Sequence, residues 1–192
     1  QGKPHPDKIA SQKKVERKDL KKRSKMASFT VSYDIQAPLE DVWKVVAEDF
    51  QYVYRSNPNC YHSEFVEGHK EVRENSKRIM YMSENRKKYL VDNLAEWDLE
   101  NKHLTIEVIE AKGFPIEAGY TWVNFDLEDI GKEKTRLQIR FNYLTKPAFL
   151  KWIAKGSLKK QFQDYAWAID HHVKTGVEIS PANWKEIRKA YK

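Results

Sequence analysis

Asp164 and His171 stand seven residues apart in a stretch of helical periodicity, which sets a carboxylate and an imidazole on one helix face. Such a pair could hold a proton and pass it to a bound molecule, although the same spacing also suits a solvent-facing pair. His172, the next residue, points about 100° away on a helix, so the two histidines cannot share one ligand set unaided. Tyrosine offers a second chemistry. Tyr33, Tyr81, Tyr143 and Tyr165 fall in apolar periodic segments, where a buried hydroxyl needs a partner and the oxygen of a bound molecule could serve. Cys60, the lone cysteine, excludes an intramolecular disulfide framework and a cysteine-based zinc site, and reads as a small buried residue at a strand start rather than a nucleophile. There is no glycine-rich nucleotide loop, no His-Glu-x-x-His helix and no nucleophile elbow, so no metal or cofactor is assigned.

These residues must be positioned by a long helix and a sheet. From Pro147 to Thr175, Leu150, Ile153, Ala154, Leu158, Phe162, Tyr165 and Ile169 recur at three- and four-residue steps, while Lys151, Lys155, Lys159, Lys160, Gln163 and Lys174 lie off that stripe. At about 1.5 Å per residue the helix would run roughly 40 Å, with Pro147 in its first turn and Gly176 as its stop. Alternation over Ser28–Ile35 predicts a first strand. Pro38, Glu40 and Asp41 ahead of Val42 and Trp43 predict a short helix, and Phe50–Asn57 a second. Strands are then expected over Tyr61–Glu67, Lys77–Ser83, Tyr89–Asp98, His103–Glu110, Tyr120–Leu127 and Thr135–Tyr143, joined by short turns and therefore antiparallel. The last alternates most clearly, Leu137, Ile139, Phe141 and Tyr143 against Arg136, Gln138, Arg140 and Asn142.

That order defines an α+β helix-grip class: a seven-stranded curved antiparallel sheet wrapped around a long C-terminal helix, with two short helices after the first strand. The run Ile35-Gln36-Ala37-Pro38-Leu39-Glu40-Asp41-Val42-Trp43 resembles the opening signature of the SRPBCC superfamily, the START-like, polyketide cyclase/dehydrase and lipid-transport domains. Tyr61–Gly68, Val91–Asp98 and Gly113-Phe114-Pro115-Ile116 also sit where that family has its second strand, an acidic strand and a loop near the cavity mouth. The resemblance covers residues 28–175. It departs at Glu74-Asn75-Ser76-Lys77-Arg78, which lacks the family's glycine, so that Asn75 or Ser76 must make the turn, and at Asp92, where many members carry glutamate.

A long helix laid over a bent sheet cannot fill the concavity with its own side chains, so a hollow that takes an apolar ligand is expected. Its predicted lining is Val31, Tyr33, Tyr81, Phe125, Ile139, Phe141 and Tyr143 from the sheet and Phe162, Tyr165 and Ile169 from the helix; a solid core of the same residues is the alternative. Phe114 and Pro115 put apolar side chains on a turn, which suggests a gate, with a loop that only plugs the core as the alternative. The expected function is binding or transport of a lipid-like or polycyclic molecule, without catalysis. The resemblance also permits a cyclase or aromatase that holds a poly-carbonyl chain folded while side chains move protons.

The charge of +7 is a property of one end. Residues 1–25 hold ten Lys/Arg against three acids, a surplus equal to that of the whole chain, and their composition is too polar for a packed core. They are expected to form a basic flexible arm, 26–176 the helix-grip domain, and 177–192 an extension with a short helix carrying Trp184 and Ile187. The arm could touch anionic surfaces weakly, and an interaction module built on it is a third functional class; nothing indicates specific nucleic-acid recognition. A start at Gln1 fits a periplasmic or secreted chain after signal removal, with a cytoplasmic chain as the alternative.

Overall fold

The computed structural model describes residues 6–66, 68 and 70–192, with side chains described from residue 15 onward. Strands β1 (Ala27–Ile35), β2 (His62–Phe65), β3 (Lys77–Tyr81), β4 (Tyr89–Asp98), β5 (His103–Lys112), β6 (Trp122–Asp129) and β7 (Thr135–Tyr143) form one antiparallel sheet in the order β1-β7-β6-β5-β4-β3-β2. The first and second strands thus sit at opposite edges, and the chain between them crosses one end of the sheet. It does so through α2 (Leu39–Trp43), a π turn (Lys44–Glu48) and a 3-10 turn (Phe50–Arg55). Pro38 caps α2 and Glu40 and Asp41 occupy its first turn, while Val42, Trp43, Val46, Ala47, Phe50 and Val53 turn inward, closing that end of the core. Glu67, the expected end of the second strand, lies outside the described residues.

Burial follows the period-two pattern that places one face of the sheet inward. In β7 the buried residues are Thr135, Leu137, Ile139, Phe141 and Tyr143, and β1 sets Phe29, Val31 and Ile35 beside them through the register Phe29↔Phe141 and Val31↔Ile139. The β4–β5 ladder shifts register between Val91 and Asp92 and again between Leu94 and Glu96. Such bulges increase local twist and bend the strand, and here they curl the sheet where Asp92 turns inward. The glycine-free turn before β3 uses Asn75 in the left-handed region, at φ 65°, and the buried Ser76 hydroxyl accepts from Arg73 N–H and donates to the Glu71 carbonyl.

The long helix, α3 (Leu150–Thr175), starts three residues later than expected, with Pro147 in the turn before it, and stops at Gly176 with φ 70°. Its apolar stripe grips the sheet over the second half only: Tyr165, Ala166, Ala168, Ile169 and Asp170 are buried, whereas Ile153, predicted to lie on the buried stripe, is 74% exposed. The first half meets the sheet at the end of β7, where the Tyr143 hydroxyl donates to the Lys151 carbonyl at 3.1 Å, and is otherwise more exposed. A second cluster, Ala168, Ile179 and Trp184 with Trp167 and Ile187, secures the C-terminal residues, which form α4 (Trp184–Ile187) and a 3-10 turn (Arg188–Tyr191).

The basic N-terminal stretch, expected as an arm, contains a helix. Residues 6–23 form α1 (Pro6–Arg23), while residues 1–5 lie outside the described part. The end of α1 is fastened to the body: the Tyr120 hydroxyl donates to Asp19 at 2.8 Å, Lys22 pairs with Glu117 and lies over the Tyr120 ring, and Lys151 Nζ donates to the Lys25 carbonyl at 2.8 Å.

Candidate functional site

Where the first half of α3 leaves the sheet, a cavity of about 320 Å³ remains, close to the lower bound for pockets that take small molecules. Met80 and Met82, Leu90, Ile106 and Val108, Val123 and Phe125, and Phe141 supply its sheet side. Leu158, Phe162 and Tyr165 of α3 cover it, and Val53 closes one end. Exposed members of the lining are Pro115, Ser157 and Gln161, so the hollow opens to solvent between the 113–116 loop and the first half of α3. That loop is held by an Ile116–Thr145 bridge and by Lys146 N–H donating to the Pro115 carbonyl at 2.9 Å. Phe114 and Ile116 line the cavity from it.

The closed end is polar. Arg78 and Asp92 are paired residues on β3 and β4, both buried, and both line the hollow. Arg78 Nε and Nη2 donate to Asp92 Oδ2 at 3.1 and 3.0 Å, Nη1 donates to the Phe50 carbonyl at 2.6 Å, and the guanidinium lies 4.1 Å over the Phe50 ring. Burial holds the Asp92 carboxyl above its usual range despite the attraction of Arg78. Tyr165, with Ser56 as its hydrogen-bonding neighbour, is pushed up to about 12 by burial, and so is the thiol of Cys60 nearby. At neutral pH this end therefore presents a protonated phenol and a fixed guanidinium, both donors, within largely apolar walls. Asn57 and Asn59 add amide groups to the lining.

Of the residues predicted to line the site, Phe114, Phe125, Phe141, Phe162 and Tyr165 border the cavity. Tyr33, Tyr81, Tyr143 and Ile169 do not, nor do Val31 and Ile139. Tyr81 lies on the outer face, where its ring stacks on His62 and meets Tyr89, because β3 turns Arg78 and Met80 inward and the parity of the strand sends Tyr81 out. Tyr143, Ile169, Val31 and Ile139 face inward but belong to the solid core where α3 or β1 packs down. Tyr33 is half-buried near Asp170, away from the hollow. The Asp164–His171 dyad is not formed: the C-terminal segment folds back, Arg188 Nε donates to Asp164 at 2.6 Å, and His171 Nδ1 lies 3.5 Å from the Tyr191 hydroxyl. Sequence reasoning missed Arg78 as a site residue. An inward arginine is visible only once the β3–β4 register sets Asp92 opposite it. Among the described residues no group of three or more His, Cys, Asp or Glu side chains is arranged to hold a metal ion.

Comparison with known proteins gives a consistent picture. The family model described as polyketide cyclase / dehydrase and lipid transport matches residues 26–169. No curated protein matches the chain. Among solved structures, Ara h 8.0201 is 18% identical with a TM-score of 0.64, covering 78% of this chain and 99% of that one. A protein from Nitrosospira multiformis is 12% identical with a TM-score of 0.62, covering 78% and 98%. Truncated norcoclaurine synthase from Thalictrum flavum is 15% identical with a TM-score of 0.62, covering 77% and 93%. At these identities the structural likenesses establish the fold alone.

Proposed function

Because the chain belongs to the polyketide cyclase / dehydrase and lipid transport family, we propose that it binds a hydrophobic small molecule in the hollow between sheet and α3, with an oxygen-bearing end oriented toward Arg78 and Tyr165. The observation that carries this reading is the division of the cavity into apolar walls and one buried donor-bearing end. Apolar burial would supply most of the binding free energy, and the donors would fix which way round the molecule lies. A hydroxyl, carbonyl or carboxyl at that end would meet hydrogen bonds that water cannot easily provide in so enclosed a place.

Non-catalytic binding is favoured over proton transfer by the state of the polar groups. A phenol pushed to about 12 keeps its proton at neutral pH, and the guanidinium of Arg78, three of whose five N–H groups bond Asp92 and the Phe50 carbonyl, can donate hydrogen bonds but does not exchange a proton. A cyclase reading is favoured by one observation: the Asp92 carboxyl borders the hollow beside Arg78, where it could exchange a proton with a folded poly-carbonyl chain. Native mass spectrometry of the purified protein tests binding: a bound hydrophobic molecule or uptake of an apolar fluorescent probe is expected, and both should fall in an Ala154→Phe variant that fills the mouth. Absence of both in the parent would refute the proposal. Turnover of a poly-carbonyl chain that is lost in Asp92→Asn would decide for the cyclase.

A further inference from the structure

At the N-terminal end of α3, Phe149, Trp152 and Ile153 are 63%, 74% and 74% exposed, and none of them lines the cavity. Their spacing of three and four residues sets them on one face of the first helical turn. Isolated apolar residues on a surface need no explanation, but three large ones on one projecting turn form a contiguous patch of the kind that marks an interaction site. Along this segment the charge has one sign: residues 146–163 contain Lys146, Lys151, Lys155, Lys159 and Lys160 and no carboxylate. Lys151 Nζ lies 5.3 Å from the Trp152 ring centroid.

We propose that this end of α3 docks on an anionic lipid bilayer, with Phe149, Trp152 and Ile153 entering the interface and the lysines meeting the headgroups. Apolar and aromatic side chains on one side of a helix with lysines flanking them are what an interfacial helix requires, and anionic headgroups add attraction for each lysine near the surface. No described helix is long and apolar enough to cross a membrane, so the contact is with its surface. A second copy of the chain is disfavoured by the same charges, because a two-fold contact through this patch would set lysines against lysines. The patch adjoins the cavity mouth, since the Ile116–Thr145 bridge joins the 113–116 loop to the segment leading into α3. Docking would therefore turn the opening between Pro115 and Ser157 toward the bilayer. It does not depend on the cavity being filled.

Co-sedimentation of the full chain with vesicles of phosphatidylcholine containing about one-third phosphatidylserine tests this proposal. Binding is expected to fall at least tenfold in Trp152→Ser/Ile153→Ser and roughly twenty-fivefold in Lys155→Gln/Lys159→Gln, at about fivefold per lysine, and to be far weaker on pure phosphatidylcholine. Both double variants replace exposed side chains, so an unchanged thermal transition and unchanged apolar-probe uptake are expected to accompany the loss. Absence of vesicle binding by the parent, or equal binding by parent and variants, would overturn the proposal. So would sedimentation velocity showing a dimer that Trp152→Ser/Ile153→Ser dissolves, which would assign the patch to a second copy.

Discussion

Arg78 and Asp92 face each other across the β3–β4 ladder, and two guanidinium nitrogens of the one converge on a single oxygen, Oδ2, of the other. The side chains are 6% and 3% exposed, so each ion is the other's main substitute for water. Removing one partner leaves a charge or a carboxyl stranded in an apolar wall. Arg78→Met and Asp92→Leu are each expected to cost about 3–5 kcal/mol, whereas the double change should recover most of that loss. Urea denaturation of the three variants checks this. Independent, additive costs would show that the pair does not act as a unit.

Cys60 and Tyr165 make the fold sensitive to alkali. Burial raises the thiol from 9.0 and the phenol from 10.0, each to about 12, so the native state keeps protons that the unfolded chain releases. Their contribution is intact below pH 9 and is lost as pH rises from 9 toward 12. The expected slope is about 1.4 kcal/mol per pH unit for each group once its unfolded form has ionised. Unfolding midpoints measured across that window should fall, and Cys60→Ala should flatten the part that begins near 9. The same burial predicts that iodoacetamide labels Cys60 rapidly only after the chain is unfolded.

What could be read in the sequence, and what could not, divides along periodicity and register. β4 and β7 have the bounds expected of them, since ten and nine residues of strand pattern end at clear turns. β3 gave the wrong face. Tyr81 is expected on the apolar side of that strand, but Arg78 and Met80 are the residues turned inward, and Asp92, fourteen residues on, offsets the burial of the Arg78 charge. The stripe on α3 was legible over its whole length, yet a stripe does not say how far the surface beneath it extends. Ile153 lies beyond that surface, and Phe162 and Tyr165 lie at the point where packing gives way to the hollow. The family resemblance carried the topology; it could not tell lining from solid core.

Phe114 borders the hollow from a loop whose backbone is tied to the Thr145 segment on one side and whose continuation, at Glu117 and Tyr120, is held by α1. If the ring obstructs the opening, Phe114→Ala should raise the association and dissociation rates of an apolar probe together, by several-fold, with a smaller change in affinity. Stopped-flow fluorescence separates the two rates. Unchanged rates with weaker equilibrium binding would make Phe114 a wall rather than a gate. Shortening the chain to begin at Met26 removes the α1 contacts, and because these are few and only partly buried it should lower stability only slightly while accelerating the same two rates.

Asp170 is buried on α3 and receives the Tyr191 hydroxyl and Lys174 Nζ on Oδ2, both at 2.8 Å, while its Oδ1 has no partner among the described residues. The last residues of the chain therefore act as a strap, with Arg188 on Asp164 as a second fastening one and a half turns earlier on the helix. Tyr191→Phe keeps the ring that packs on Trp167 and removes only the donor, so it isolates the hydrogen bond to the carboxylate. A loss of about 1.5–3 kcal/mol is expected, the range for a hydrogen bond to a charged group. Lys174→Met should cost less, because its side chain is 39% exposed and water can take its place. The order of the two losses in urea denaturation is the informative result: a larger effect for Lys174 would mean that the strap does not govern Asp170, and that α3 carries its buried acid without help from the C-terminal residues.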